Sequence, residues 1–143
     1  MLTLYLILDD EMNSNTFNYV KHDSFFYPEI PLRIMRNEKA LETNALIDSG
    51  AIISIFKPEI ADYLGLPIDR GEERTSIGIS GKLKVYIHNI KLEVFEGKSF
   101  ECKIAFSREF KSRFNLLGRQ DFFDRHLITF DERRKCTKIE EIE

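Results

Sequence analysis

The chain of 143 residues has the length of one compact domain, and 43% hydrophobic with 31% charged residues is typical of a globular protein. Its net charge of −3, with no basic stripe, argues against nucleic acid as the main partner. Cys102 and Cys136 form no CxxC pair, and the histidines show no ligand spacing. We therefore expect two reduced thiols, no metal and no cofactor.

The chain opens with an apolar run, Leu2 to Leu8, which is followed directly by Asp9, Asp10 and Glu11. The run is too short to span a membrane, and it lacks the charge order of a signal peptide. It predicts a β-strand at the edge of the domain. We expect a cytoplasmic protein with no membrane partner.

The next segments are mostly extended. Residues Ile30 to Arg36 predict a strand whose proline favours an edge position or a strand start, and Asn37 to Lys39 is a polar turn. Ala45 to Ile47 is a short apolar run that is typical of a buried strand.

One helix is predicted over Lys57 to Gly65. Pro58 suits a first helical turn, and Glu59 suits the positive end of the helix dipole. Gly65 provides a stop signal at the other end.

The second half of the chain again predicts strands. Thr75 to Phe95 forms a glycine-bearing hairpin pattern, and Phe100 to Phe106 alternates apolar and polar residues. A second short helix is predicted after Gly118, through Gln120 to Phe123, before a closing hairpin of Ile128–Phe130 with Thr137–Ile142. Many short strands with one or two short helices predict an all-β fold, a small closed β-barrel-like domain spanning residues 1–143.

The segment with the clearest chemistry is Ala45 to Ala51, in which an apolar strand runs into Asp48, Ser49 and Gly50. The strand delivers a carboxylate to a water-poor place, where it must be paired, hydrogen-bonded or neutralised. Gly50 has no Cβ, so a second backbone can approach closely. Asp-Ser-Gly alone is expected by chance in roughly one chain in twenty to thirty of this length. Such a tripeptide also fits a simple Asx turn.

Two further segments accompany the acid in a fixed order. A hairpin with Gly78 and Gly81 comes first, and the apolar-apolar-Gly-Arg segment Asn115 to Arg119 follows. This ordered trio resembles the retropepsins, the retroviral-type aspartic proteases, and their cellular relatives. The resemblance covers about residues 30–130, and it implies the fold of a single acid-protease lobe.

The resemblance implies roles for the acidic loop. Asp48 would be the catalytic aspartate, and Ser49 would join the hydrogen bonds that cross the dimer axis. Gly50 would let the two active-site loops approach and would help to bind substrate backbone. Ala51 would complete the loop.

The resemblance also assigns the other two segments. A mobile flap that covers the peptide would comprise Ile77, Gly78, Ile79, Ser80 and Gly81. Structural support behind the loop would come from Leu117, Gly118 and Arg119. Apolar substrate pockets are expected to be lined by Ile52, Ile77, Ile79 and Leu83.

One position departs from the family. Viral members commonly carry an acid just after the active-site motif, where it pairs with the arginine, and here the position holds Ile52. Arg119 would then need another acceptor, with Asp121, Asp124 or a backbone carbonyl as candidates.

The chemistry of this class needs two carboxylates that share a proton, and Asp-Ser/Thr-Gly occurs only once in the chain. A two-fold homodimer would supply the second Asp48 by symmetry. The predicted function is therefore a homodimeric aspartic endopeptidase acting on peptide or protein substrates. The terminal runs Leu2–Leu8 and Thr137–Ile142 are candidates for dimer pairing.

Three alternatives remain open. The same fold would serve a binding or assembly module without proteolysis. A hydrolase with Ser49 as nucleophile would need Gly-x-Ser-x-Gly, but Ile47 lies two residues before Ser49. An inactive all-β domain would use Asp48 only to cap a turn.

Overall fold

The computed structural model of the chain describes residues 14–78 and 81–142. Its described part is mostly strands, with one regular helix, α1 (Pro58–Tyr63), and a short helical turn at Ile68–Arg70. The strands are β1 (Ser14–Asn18), β2 (Val20–His22), β3 (Phe25–Tyr27), β4 (Glu29–Arg36), β5 (Lys39–Ile47), β6 (Ser54–Phe56), β7 (Glu72–Gly78), β8 (Gly81–Phe95), β9 (Lys98–Phe106), β10 (Asn115–Leu117), β11 (His126–Asp131) and β12 (Cys136–Glu141).

Six of these strands close into a barrel. Their order is β4-β5-β10-β6-β9-β8, and pairing between β4 and β8 completes the ring. The long strand β8 makes this closure possible, because its end pairs with β4 while its beginning pairs with β7 outside the ring. The all-β class and the closed architecture predicted from the sequence are confirmed.

Strand β4 shows how the apolar pattern specifies the barrel interior. Ile30, Leu32 and Ile34 are buried, whereas Pro31 and Arg33 between them are exposed. This alternation places one set of side chains in the core and the other in solvent. Pro31 lies where β4 pairs with β5 alone, so its missing N–H costs no ladder hydrogen bond.

The barrel core is built from apolar side chains of all six barrel strands, together with the buried face of α1. On β9 the predicted alternation is confirmed, since Cys102, Ile104 and Phe106 are buried and Glu101 is exposed. Both cysteines are free thiols, as the sequence predicts. Burial raises the pKa of the Cys102 thiol to about 12, so this group stays protonated.

Helix α1 confirms its sequence signals. It starts at Pro58 and ends at a Schellman motif. In this motif Leu66 N–H donates to the Ala61 carbonyl at 2.9 Å, and Gly65 N–H donates to the Asp62 backbone carbonyl at 3.1 Å. Gly65 has φ +65°, the left-handed conformation that glycine adopts at little cost.

The second predicted short helix, Gln120–Phe123, is present as an irregular helical turn. Helical hydrogen bonding is present over Arg119–Phe123, but Gln120 has an extended ψ of 130° and Asp121 has φ 68°. Gln120 N–H donates to the Ile52 carbonyl at 2.8 Å, and the Asp121 carboxylate accepts from Lys103 N–H at 2.9 Å. These tertiary hydrogen bonds compete with the local helix.

The closing hairpin is confirmed, with β11 and β12 antiparallel and Ile128 opposite Ile139. Strand β12 also pairs with β1, so both of its edges are occupied within the chain. The dimer role predicted for Thr137–Ile142 remains a prediction, and in this conformation a partner strand would have to add to β1 or β11. The predicted strand Leu2–Leu8 lies outside the described residues.

Candidate active site

Asp48 follows the last residue of β5. Strand β10 runs parallel to β5, with Leu117 opposite Ile47, and Asp48 N–H donates to the Leu117 carbonyl at 2.9 Å. Ser49 and Gly50 at the loop tip are exposed, and Asp48 is half-buried. The buried pair of strands therefore carries the carboxylate to the surface of the barrel, where another molecule can reach it.

The loop around Asp48 folds back on the acid. Gly50 N–H donates to Asp48 Oδ1 at 2.9 Å, and Ala51 N–H donates to the Asp48 carbonyl at 3.2 Å. The first bond is an Asx turn, which an inactive capping role would also produce. Among the described residues Asp48 Oδ2 has no hydrogen-bond partner. One oxygen of the carboxylate is thus oriented, and the other is available for chemistry.

The segment after β10 locks this loop from behind. Arg119 N–H donates to the Ala51 carbonyl at 2.9 Å, and Gln120 N–H donates to Ile52 at 2.8 Å. Gly118 N–H donates to the buried Ser54 hydroxyl at 2.9 Å. The predicted support segment therefore contacts the predicted catalytic loop directly.

The closeness of this contact explains the glycine at position 118. A Cβ on Gly118 would lie 2.7 Å from the Ile53 carbonyl carbon, 2.8 Å from the Ile53 oxygen and 2.9 Å from the Ala51 oxygen. All three atoms belong to backbone that is held in the loop, so no side-chain rotation relieves the clash.

Arg119 does not form the ion pairs considered from the sequence. Its side chain is exposed and makes no ion pair with any residue in 14–78 or 81–142. The Asp121 carboxylate accepts from Lys103 N–H, and the Asp124 carboxylate accepts from Asp121 N–H at 2.9 Å. Backbone amides therefore occupy the two carboxylates that were candidate acceptors, and Arg119 contributes through its backbone.

The predicted flap corresponds to the β7–β8 hairpin. Ile77 pairs with Lys82 and Gly78 pairs with Gly81, so the hairpin extends beyond the barrel. Ile77 is 77% exposed, and Gly81 has φ +119° at the turn. Ile79 and Ser80, which the sequence assigned to the flap tip, lie outside the described residues.

A second apolar cluster lies on the opposite face of the strands from the barrel core. Val85, Ile87 and Ala105 are buried there, with Ile53, Ile55 and Leu83 packed against them. The cluster joins the base of the hairpin to the strand that follows the Asp48 loop. Of the residues expected to line substrate pockets, Leu83 packs here, while Ile52 and Ile77 are exposed at 65% and 77%.

Two supporting residues received no role from the sequence, Ser54 and Asn115. Both are buried polar residues, with Ser54 between Ile53 and Ile55 and Asn115 at the start of an apolar pair. A polar residue inside an apolar strand pattern is the signal that indicates them, because buried polar groups require hydrogen-bond partners.

Within the described ranges, no group of three or more histidine, cysteine, aspartate or glutamate side chains converges to hold a metal ion. None of the helices in the same ranges has the length and apolar character to cross a membrane.

Comparison with known proteins agrees with this architecture. No family model matches the chain, and no curated protein matches it. Among solved structures, the chain is similar to the crystal structure of a retropepsin-like aspartic protease from Rickettsia conorii. The TM-score is 0.66 at 17% sequence identity, and the match covers 87% of this chain and 97% of that chain. At this identity the likeness shows the fold, so the chain has the all-β fold of a retropepsin-like lobe.

Proposed function

We propose that the chain is an aspartic endopeptidase that acts as a homodimer, with one Asp48 from each protomer in the active site. The observation that carries the proposal is the Asp48 loop itself. A parallel strand pair brings the acid to an exposed loop tip, Gly50 N–H orients one carboxylate oxygen, and the 117–120 segment fixes the loop from behind. The retropepsin-like fold supports the same assignment.

The chemistry requires both copies of Asp48. Two carboxylates held a few ångströms apart cannot both be ionised, so the pair retains one proton. The ionised carboxylate takes a proton from water as the water oxygen attacks the scissile carbonyl carbon. The protonated carboxylate donates to the carbonyl oxygen, and the amide nitrogen receives a proton as the C–N bond breaks. The products are a new carboxyl group and a new amine.

The substrate class follows from the surfaces around the loop. An extended polypeptide fits between the β7–β8 hairpin and the Asp48 loop, where backbone hydrogen bonds supply affinity and alternate side chains enter pockets. Ile52 and Ile77, which are 65% and 77% exposed, favour apolar substrate side chains at this surface.

The test compares wild type with Asp48→Asn on an unfolded protein substrate from pH 3 to 7, with cleavage followed by mass spectrometry. We expect the variant to lose activity by about 10³-fold or more, because the general acid–base pair is broken. Asp69→Asn is the matched control, since Asp69 is an exposed aspartate on the turn after α1. The control should cleave as wild type does.

Other outcomes would select other functions. A folded, dimeric wild type that cuts nothing would move the assignment to a binding or assembly module. Activity that persists in Asp48→Asn and is lost with serine-directed inhibitors would indicate Ser49. The proposed enzyme is cytoplasmic and needs no metal, so chelation is expected to leave the cleavage rate unchanged.

A further inference from the structure

Strand β10 is held in the barrel by few ladder hydrogen bonds, although it positions the Asp48 loop. It has three residues, it pairs with β5 through Asn115, Leu116 and Leu117, and its antiparallel pairing with β6 is limited to Leu116 opposite Ile55. The Leu117 carbonyl nevertheless accepts the amide hydrogen of Asp48. The place of the catalytic loop therefore depends on a strand with very few ladder hydrogen bonds.

The side chain of Asn115 supplements those bonds. It is 3% exposed. Its Oδ1 accepts from Lys57 N–H at 2.8 Å, and its Nδ2 donates to the Asn44 carbonyl at 3.0 Å and to Thr43 Oγ1 at 3.4 Å. The amide thus connects β10 to β5 on one side and, on the other, to the residue between β6 and α1.

These partners explain why the position holds an amide. Strand β6 ends at Phe56, so Lys57 N–H lies beyond the sheet and has no ladder partner there. It donates instead to Asn115 Oδ1. An aliphatic side chain here would leave a donor at Lys57 and an acceptor at Asn44 without their partner, which is costly in a buried place.

We infer that Asn115 is a positioning residue for Asp48, an inference that rests on the proposed function. By fixing the start of β10 against both neighbours, its amide sets the position of the Leu117 carbonyl and, through that carbonyl, the catalytic loop. Small displacements of a reacting group reduce turnover more than they reduce binding.

The test variant is Asn115→Asp. The carboxylate has the size of the amide and keeps an acceptor for Lys57 N–H, but it has no N–H for Asn44 or Thr43. Asn44→Asp is the matched control, since it adds the same charge on β5, directly after Thr43, and leaves the Asn115 amide in place. The side chain of Asn44 is exposed, and both asparagines line the same groove with Glu29, Glu42, Lys57 and Arg113.

Two readouts are needed. Backbone amide hydrogen exchange, followed by NMR, should be at least about tenfold faster at Asp48 in Asn115→Asp than in Asn44→Asp. The Lys103 N–H, which donates to the Asp121 carboxylate, is the internal reference, and its exchange rate should not change. In cleavage assays, kcat should fall by at least about tenfold with KM within about twofold of wild type. Thr43→Val removes one of the three hydrogen-bond partners of the Asn115 amide. It should raise the exchange rate at Asp48 and lower kcat by about two- to threefold each, with little change in KM.

Asp48 exchange and kcat equal to those of the Asn44→Asp control would overturn the inference. A uniform rise in exchange over the whole barrel would also overturn it, because Asn115 would then be a general stability residue. If Asn115→Asp does not fold, Thr43→Val decides between these outcomes by the same criteria. A wild type without cleavage activity would refute the proposed function alone, since the exchange of Asp48 still decides whether Asn115 positions the loop.

Discussion

Gly118 lies where the backbones of two segments approach too closely for a side chain. The atoms that a Cβ would meet are main-chain atoms of Ile53 and Ala51, and the loop that carries them also carries Asp48. A single methyl group at this position therefore affects both packing and the geometry of the acid.

Gly118→Ala is expected to lower the free energy of unfolding by about 1–3 kcal/mol, because the loop must move to admit the methyl group. Cleavage activity should fall as well, since that movement displaces Asp48. Gly97→Ala is the control, because Gly97 has φ +79° and open space around it. Alanine is strained at this positive φ, so the control should lose about 1–2 kcal/mol in urea unfolding, but its activity should be retained because no backbone of the Asp48 loop has to move. Equal activity of the two variants would contradict the prediction.

His126 makes stability depend on pH. Its ring is buried among Phe95, Phe100 and Phe122, with centroids 5.8, 5.4 and 4.8 Å away, and Nδ1 hydrogen-bonds to the Phe122 carbonyl at 2.8 Å. Burial lowers the pKa of His126, and the nearby Arg125 lowers it further, while the Phe122 carbonyl and Glu141 oppose the shift.

The unfolded chain therefore binds a proton at His126 more readily than the folded chain does. The stability that the neutral ring contributes is complete above the unfolded pKa of about 6.5 and is lost as pH falls through the folded pKa. We expect the unfolding free energy of wild type to decline below about pH 6.5 more steeply than that of His126→Asn. Urea titrations at a series of pH values would measure both slopes, and parallel curves would refute the assignment.

The two short strands β6 and β10 show how neighbouring elements hold the site together. Ser54 opens β6, and its hydroxyl accepts from Gly118 N–H, which follows β10. Asn115 opens β10 and accepts from Lys57 N–H, which follows β6. Each strand is too short for a full ladder, so a polar side chain at its start completes the connection to the other.

Ser54→Ala tests this arrangement. The substitution leaves the buried Gly118 N–H without a partner, so the unfolding free energy should fall by about 1–3 kcal/mol. Ser99→Ala, at an exposed position on β9, is the control and should change stability by no more than about 0.5 kcal/mol. Chemical denaturation of both proteins would decide, and a Ser54→Ala protein as stable as the control would contradict the proposed connection.

At the level of the whole molecule, the closed barrel leaves one proposed catalytic acid on an exposed loop. Ile52 on the same loop and Ile77 on the β7–β8 hairpin are among the most exposed large apolar side chains of the described residues. A half-buried acid on an exposed loop that also carries an exposed isoleucine fits a site that a second copy completes.

Mixing experiments would test the shared site. If each active site needs two wild-type chains, an equal mixture with Asp48→Asn at constant total concentration should retain about a quarter of the activity after subunit exchange. Independent sites would retain about half. Sedimentation at the assay concentration would measure the dimer fraction, and specific activity should fall with it on dilution. Constant specific activity in a monomeric sample would contradict the dimer.

The predictions of α1 and of the buried faces of β4 and β9 rest on residues close together in the sequence, and they are confirmed. Pro58 and Gly65 bound α1 because their conformational preferences act on neighbouring residues alone. The alternation on β4 and β9 identified the buried face because side chains of a strand point to opposite sides. The order of the Asp48 loop, the glycine hairpin and the Leu117-Gly118-Arg119 segment predicted the retropepsin-like fold, although the roles of these residues stay proposals.

Features that depend on distant segments were not visible in the order of residues. The helix predicted at Gln120 to Phe123 forms only an irregular turn, because hydrogen bonds to Ile52 and Lys103 compete with the helical conformation. The partners of Arg119, Ser54 and Asn115 were equally hidden, because each lies dozens of residues away and is selected only when β10 inserts between β5 and β6. Local preference thus specified the elements, and long-range hydrogen bonding specified how the carboxylate of Asp48 is held.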